Sequence, residues 1–424
     1  MVSTDRVLVI GGGVAGLATA IGLDMAGRDS VVFEAASHSQ SHSGASLFLG
    51  PAALGVLETM KLSDEVHDRS MPGSMLIPAS GAEFEDPRLP EDFDFGAVGF
   101  RCIDRAALQE ILSAEAARRG IEIHYDKRLI TLNEGAASVL AHFQDGTTAE
   151  GSLLVGADGR MSRVRSLLFP GTRLTFANSW YVYGTSTTDG LDEELRARLE
   201  RGEGYHHDGP GTFLLAYRDA PARPSKITFL LTGQSERKIP AKHFEHRDRD
   251  GLRAELADLV GTWSEPGARI IERATHVIPT QVYRPPSLTS WYHGRTVLAG
   301  DAVHATDPLT GLGSAFAFED ALYLAKMLRD HDYRDAFYYF QEDRRPHTSV
   351  VQEALANGAF ALKDGTFALE EPQAADGDGP LEWITRTFDI DWDRTDTSPL
   401  ASLAGATTTP EPAMPQATTD RAPQ

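Results

Sequence analysis

Three short segments of this chain combine glycines with an acid in patterns that can hold a phosphate-bearing cofactor. The first is Gly11-x-Gly13-x-x-Gly16, which follows the apolar run Val7-Leu-Val-Ile10 and opens an Ala/Leu-rich helical pattern. Strand, glycine turn and helix in that order make a dinucleotide site. Gly11 permits the tight turn. Gly13, with Val14 and Ala15, lets a pyrophosphate approach the backbone, and Gly16 lets the helix pack close to the strand. The pyrophosphate would sit on a helix N-terminus, where free N–H groups and the helix dipole favour an anion. Val31-Val-Phe-Glu34 reads as the second strand. Glu34, followed by Ala35, falls about 20 residues past the glycines, where a ribose-binding carboxylate is expected. The plain reading of Glu34 is a solvated acid after a strand.

The second segment is Gly156-Ala-Asp158-Gly159-x-x-Ser162-x-Val164-Arg165. The third is Gly300-Asp301-Ala-x-His304-x-x-x-Pro308-x-x-Gly311-Leu312-Gly313-Ser314, which opens another helix. Each follows a strand-like run. For Asp158 two readings stay open: a cofactor contact, or a cap for the next helix through Asp158 or Ser162. His304 reads as a hydrogen-bonding support of the fold rather than a catalytic group.

Together the three motifs resemble the class A FAD-dependent monooxygenases, the aromatic hydroxylases similar to p-hydroxybenzoate and salicylate hydroxylases. Further pieces agree: Ile103-x-Arg105-x-x-Leu108, Gly44-Ala45-Ser-Leu with Pro51, Glu319-Asp320-Ala321, Tyr339 through Arg345-Pro346, and Leu381-Glu-Trp383 with Asp389. The resemblance covers roughly residues 5–170 and 290–390. It implies an α/β fold, a Rossmann-like FAD-binding domain with an inserted β-sheet substrate domain. It implies that Gly11, Gly13 and Gly16 hold the FAD pyrophosphate and Glu34 the adenosine ribose. Arg105 would reach the pyrophosphate or ribose, Leu129 would lie against the adenine, and Asp301 would accept from the ribityl chain. Gly300 and Pro308 belong to the same motif. Gly311, Leu312, Gly313 and Ser314 would set backbone N–H groups beside the flavin pyrimidine ring, a position suited to negative charge. One departure stands out: many relatives carry an arginine shortly before Gly44-Ala45, and this chain has Gln40-Ser-His42-Ser there.

The implied reaction is hydride transfer from NAD(P)H to FAD, then O2 addition to the reduced flavin to give a C4a-hydroperoxide, then oxygen transfer into an aromatic substrate, phenolic or polyketide-like. FAD carries the difficult chemistry in such enzymes, and the protein positions it. A base that takes a phenolic proton would help. Tyr205, His206, His207 and Tyr217 are candidates, His206 and Tyr217 foremost, with Trp180, Tyr181 and Tyr183 as wall residues. An exposed turn at Tyr205-His-His-Asp208 is the competing reading. Epoxidation, or a different oxidation or reduction on the same fold, would use the same motifs, and so would a non-catalytic FAD-binding redox protein. A plain NAD-dependent dehydrogenase would leave the Gly300 and Gly311 segments without a role.

Period and turn signals place the elements that must position these residues. Strands are expected at Ile121–Tyr125, Ser138–Phe143, Ser179–Thr185, Thr212–Tyr217 and Lys226–Thr232. Helices are expected at Pro51–Leu62, Asp104–Arg119, Arg253–Thr262, Ser314–Leu328 and Tyr333–Ala356. The expected FAD-binding domain takes 1–70, 101–171 and 283–370. The expected substrate domain takes 71–100 and 172–282, and 371–424 is an acidic, partly disordered tail in which Leu381–Trp392 can dock on the body.

The formal charge of −21 argues against nucleic acid and against anionic lipid as partners. No apolar run approaches the ~20 residues that span a bilayer. The N-terminus lacks a secretory leader pattern, so a cytoplasmic monomer or homodimer is expected. Cys102 is the only cysteine and sits beside Phe100 and Ile103, which suggests a buried thiol. The pairs His206-His207 and His243-x-x-His246 lack recognisable zinc spacing, so no metal site is expected.

Overall fold

The apolar run before the first glycines is a strand, Val7–Ile10, buried along its whole length. Burial on both faces is what a central parallel strand needs, because helices cover both sides of such a sheet. Ser30–Phe33 pairs with it on one side and Leu153–Gly156 on the other, both parallel. Glu122–His124 and Thr296–Leu298 extend the sheet in the same sense, and Tyr292–His293 closes one edge antiparallel. This computed structural model describes residues 5–38, 46–73, 76–78, 99–209, 212–235, 251, 254, 256, 266–356, 360–363, 366–369 and 387–395.

Helix Val14–Met25 follows the glycine turn and packs along the long helix Gly313–Asp330. The approach is close: a Cβ on Gly22 would lie 3.0 Å from Ala325 Cβ and 3.1 Å from the Ala321 carbonyl oxygen. Helix Arg105–Arg118 starts at Asp104, whose carboxylate accepts from Ala106 N–H at 2.8 Å. Its inner face buries Leu108, Ile111 and Leu112, as its spacing predicts.

A second six-stranded sheet has the order His276–Arg284, Thr175–Thr187, Lys226–Gln234, Thr212–Tyr217, Gly204–Gly209 and Leu76–Pro78. All its pairings are antiparallel except the last, which is parallel. Successive side chains alternate between its faces. One face carries Tyr205, Leu214, Ala216, Phe229 and Leu231 against Leu195, Leu199, Ile270 and Ile271 of short helices. The other carries Tyr181, Phe213, Leu215, Tyr217, Leu230 and Val282 against Phe48, Cys102 and Leu309 from the side of the parallel sheet. The strands Leu47–Leu49, Arg101–Ile103 and Ser70–Pro72 form a small sheet there, too short to show a period in the sequence.

Most expected elements stand within a few residues of their places. The helix at 51–62 ends at Thr59, and a second helix, Ser63–Arg69, follows. Tyr205-His-His-Asp208 is a strand, not an exposed turn, because it pairs on both edges and buries Tyr205, His206 and His207. Phe388, Ile390 and Trp392 pack on the main core, so the described part of the 381–392 segment does dock. Of the helix expected at 253–262 only Ala254 and Leu256 are described, both helical, and the loop 39–45 with Ala45, most of 71–98, His243, His246 and the end of the tail lie outside the described residues. No helix among the described residues is long and apolar enough to cross a membrane.

The Gly22 contact gives a paired test. Gly22→Leu should lower stability by about 2 kcal/mol through overpacking. Gly55→Ala, in a helix where an added Cβ meets nothing within 4 Å, should raise it by about 0.5–1 kcal/mol. Urea unfolding of both variants reads the opposite shifts.

Candidate active site

The three glycine–acid segments converge at the first helix. Gly11 has φ +109°, and a Cβ there would come 2.9 Å from Asp158 Cα. A Cβ on Gly16 would overlap the Gly11 carbonyl oxygen. A Cβ on Gly300, at φ +60°, would come 2.9 Å from Ala15 Cβ. Only glycine satisfies such backbone approach. Gly13 is different: a Cβ there meets nothing within 4 Å, so the mouth of the turn is open. Val14 and Ala15 begin the helix there, and its first N–H groups have no partner inside the helix.

The Glu34 carboxylate is drawn into this turn. It accepts from Gly12 N–H at 2.6 Å and from Ala36 N–H at 2.7 Å, with Ala35 between. Both oxygens keep acceptor capacity for further donors. On the far side of the turn, the amide of Gln109, buried in helix Arg105–Arg118, donates to the Gly12 carbonyl. Sequence reasoning missed Gln109. Its signal was a polar residue beside Leu108 on the apolar face.

Asp158 acts on its own segment. Its carboxylate accepts from Ser162 Oγ at 2.5 Å and from the N–H groups of Arg163 and Val164 at 2.6 and 3.0 Å. Ser162 in turn caps helix Arg163–Leu168 by accepting from Arg165 N–H at 2.9 Å. The capping reading thus accounts for the contacts of both residues. Burial pushes the Asp158 carboxyl up, against the pull of these donors. The buried Arg165 guanidinium donates to the carbonyls of Ala302 and Arg160, both at 2.7 Å, and so ties the second motif to the third.

Beneath the third motif lies a buried charge cluster. Asp320 accepts from Gly300 N–H at 2.8 Å and from Arg344 Nε at 2.9 Å, with His304 Nε2 at 2.6 Å. His304 therefore supports the fold, as its place predicts. Arg344 also pairs with Glu319 at 2.7 Å. His304 and Arg344 hold the Asp320 carboxyl down at about 2 even though desolvation opposes them. Asp301 is the neighbour of Gly300, and its carboxylate takes no hydrogen bond from the described residues. Its Oδ1 lies 3.8 Å from where a Cβ on Gly313 would be, so it borders the start of helix Gly313–Asp330. Pro308 opens a short 3-10 turn capped by Asp307, and Gly311 ends it at φ +66°. The Tyr181 hydroxyl donates to Asp307, which clamps the sheet to this turn. Leu312 N–H donates to Thr310 Oγ1 at 3.2 Å, and Ser314 Oγ donates to the Phe48 carbonyl at 2.8 Å.

The sheet face opposite these loops is aromatic. His206 pairs with Leu215 in register and stacks on Phe213 at 5.9 Å. Tyr217 lies 4.8 Å from Phe48, and its hydroxyl meets Ser46. Strand alternation divides the sequence candidates. His206, Tyr217, Tyr181 and Tyr183 face the glycine loops, while Tyr205, His207 and Trp180 face the helices behind. Trp180 as a wall residue is thereby corrected: it covers Gly233 on the rear face. Burial, with the Cys102 and Asp219 groups nearby, pushes the Tyr217 phenol well above its ordinary value. Tyr217 therefore stays protonated and suits a wall or donor role better than a base. Burial likewise pushes the Cys102 thiol up. Arg105 is exposed at the head of its helix, close enough to Tyr183 to pull its phenol down against burial. Leu129 is buried at the start of strand Leu129–Glu134. The described residues hold no cluster of three or more His, Cys, Asp or Glu able to bind a metal.

Residues 4–347 match the FAD binding domain family. The chain belongs to that family. It is 27% identical over 405 residues to kynurenine 3-monooxygenase of Salinispora arenicola, covering 90% of this chain and 86% of that one. It is 26% identical over 394 residues to salicylate hydroxylase of Pseudomonas putida, covering 86% and 88%. Among solved structures, 2,6-dihydroxypyridine-3-hydroxylase from Arthrobacter nicotinovorans superposes with a TM-score of 0.73 at 21% identity, over 88% of this chain and 99% of that one. Klebsiella pneumoniae HpxO, complexed with FAD and uric acid, gives 0.71 at 22% identity, over 85% and 89%. These likenesses show the fold: an α/β FAD-binding unit carrying a separate β-sheet. The residues present fit FAD. The open mouth at Gly13, the Asp301 carboxylate beside Gly313 and the helix start there are groups that could meet its anion, hydroxyls and ring edge.

The Asp320 cluster makes stability depend on pH. A carboxyl held below its unfolded value near 3.8 contributes fully above that value, and the contribution is lost as pH falls through about 2. The loss amounts to about 2 kcal/mol and should be absent in Asp320→Asn. Arg344→Met should cost about 3–5 kcal/mol at neutral pH by leaving a buried charge unpaired. Urea midpoints measured from pH 7 to pH 2 check both.

Proposed function

We propose that this chain is an FAD-dependent, NAD(P)H-consuming monooxygenase that inserts one atom of O2 into a small aromatic substrate. The observation that carries this reading is the convergence of Gly11, Asp158 and Gly300 on one turn, with the aromatic sheet face packed on Phe48 and Leu309, and Phe48 in turn against Gly311 and Ser314. The monooxygenase and hydroxylase relatives, which align over most of the chain, support it. When bound, FAD supplies two-electron exchange with a nicotinamide and activation of O2 for transfer to an electron-rich ring.

We assign roles to this chain's own residues from where they lie. Gly13, Val14, Ala15 and Gly16 would present N–H groups to the pyrophosphate, with Arg105 as a nearby cation. Glu34 would accept from the adenosine ribose while it braces Gly12, and Leu129 would back the adenine. Asp301 would accept from the ribityl hydroxyls. Gly311, Leu312, Gly313 and Ser314 would line the pyrimidine edge, where a helix N-terminus favours the negative charge that reduction brings. Phe213, Tyr217, Tyr181 and Phe48 would form a dry aromatic wall for the substrate ring. His206 is the candidate base: it lies on that wall, and an imidazole suits proton uptake near neutral pH. The single buried thiol suits a reducing compartment such as the cytoplasm.

Anaerobic addition of NADH or NADPH to the FAD-loaded protein tests the reading. A panel of salicylate, kynurenine, hydroxypyridines and polyketide phenols should contain at least one compound that speeds flavin bleaching and then appears hydroxylated in air. A protein that takes up no FAD, or oxidises NAD(P)H at one rate whatever the compound, contradicts it. With a substrate in hand, His206→Asn should lower turnover about 100-fold or more, and Tyr217→Phe far less. Full turnover in His206→Asn would remove His206 as the base.

A further inference from the structure

The family match stops at residue 347, yet a segment well beyond it reaches the support of the Gly300 turn. Phe388 N–H donates to Glu319 Oε1 at 2.8 Å. The Phe388 ring lies over the Arg344 guanidinium at 4.7 Å, with Tyr323 edge-on at 4.8 Å and His347 at 5.7 Å. Arg344 spends its Nε on Asp320, and its two terminal nitrogens make no hydrogen bond among the described residues. One of them faces Glu319 Oε2 only as an ion pair, at 2.7 Å. A buried guanidinium in that state needs a face of negative potential and exclusion of water, and an aromatic ring supplies both.

We infer that Phe388 is a positioning residue for the FAD site, acting through Arg344 and Glu319 on Asp320, and through Asp320 on the Gly300-Asp301 turn. The inference rests on the FAD reading proposed above. Each link is a direct contact: ring on guanidinium, guanidinium on carboxylate, carboxylate on the Gly300 N–H. Removing the ring opens Arg344 and Glu319 to water, weakens their hold on Asp320 and frees the turn that carries Asp301. The other end of the same segment offers a control. Trp392 covers Arg329 at 4.7 Å, its carbonyl accepts from Arg329 Nη1 at 2.7 Å, and Lys326 donates to the Arg394 carbonyl at 2.9 Å. Those contacts anchor the segment without touching Asp320.

The experiment compares apo forms of wild type, Phe388→Ala, Phe388→Tyr and Trp392→Ala by FAD fluorescence titration, visible circular dichroism of the bound flavin and thermal melting. Phe388→Ala should weaken FAD binding about tenfold or more and change the dichroism, and Phe388→Tyr should restore both. Trp392→Ala should melt at least as early yet bind FAD within about twofold of wild type. Should Phe388→Ala fail to fold, Phe388→Leu, which keeps bulk but not the ring face, carries the same expectation. Wild-type FAD affinity in Phe388→Ala or Phe388→Leu, or an equal loss in Trp392→Ala, overturns the inference alone. A wild type that binds no FAD overturns the proposed function and this inference with it.

Discussion

One carboxylate with no exposure to solvent governs this architecture. Asp320 sits in the long helix Gly313–Asp330 and reaches back to the turn at Gly300. A charge so placed is costly unless it is paired and hydrogen-bonded. The chain meets that condition with a backbone N–H, an imidazole and a guanidinium. Those partners come from the Gly300 turn, from the short helix it starts, and from helix Tyr333–Ala356. The need to satisfy one buried charge thus fixes where Gly300 lies. Gly300 meets Ala15, and Ala15 belongs to the helix that begins at the first glycine turn. Two motifs nearly 290 residues apart are brought into one cradle by that chain of contacts.

The second constraint is the alternation of the antiparallel sheet. A one-residue step along a strand moves a side chain from the cofactor side to the helix side. Tyr205-His206-His207 shows the consequence. His206 joins the aromatic wall, while the residues on either side of it enter the rear core. The sheet is held to the cradle by polar contacts as well as rings. Tyr181 donates to Asp307, Ser46 donates to Asp219, and Lys226 bridges Asp219 and Asp104 at 3.4 and 2.8 Å. Asp104 caps the helix that opens with Arg105, so the aromatic wall and a candidate cofactor residue share one scaffold.

Local patterns in the sequence carried the nucleotide-binding half well. Gly11, Gly13 and Gly16 announce their turn because backbone geometry leaves no other residue possible at two of them. Helix Tyr333–Ala356 and strand Thr212–Tyr217 have the bounds their periodicity predicts. What the sequence could not show was pairing across distance. Arg344 reads as one of several charges in a polar run, and nothing local says that it is buried against Asp320. Gln109 looks like a flaw in an apolar stripe until the Gly12 carbonyl is seen above it. Trp180 and Tyr181 are equally good wall candidates by type, and only the register of the sheet separates them. Asp158 stayed open between two roles because capping and cofactor contact call for the same residue.

A crystal structure of the protein with FAD and an aromatic ligand would test the central claim most directly. The pyrophosphate should rest on the N–H groups at Gly13 to Gly16, the ribityl hydroxyls on Asp301, and the flavin ring between Gly311–Ser314 and the face bearing His206 and Tyr217. An adenine end bound away from Gly13, or a flavin ring lodged against the rear face with Trp180 and His207, would contradict the account.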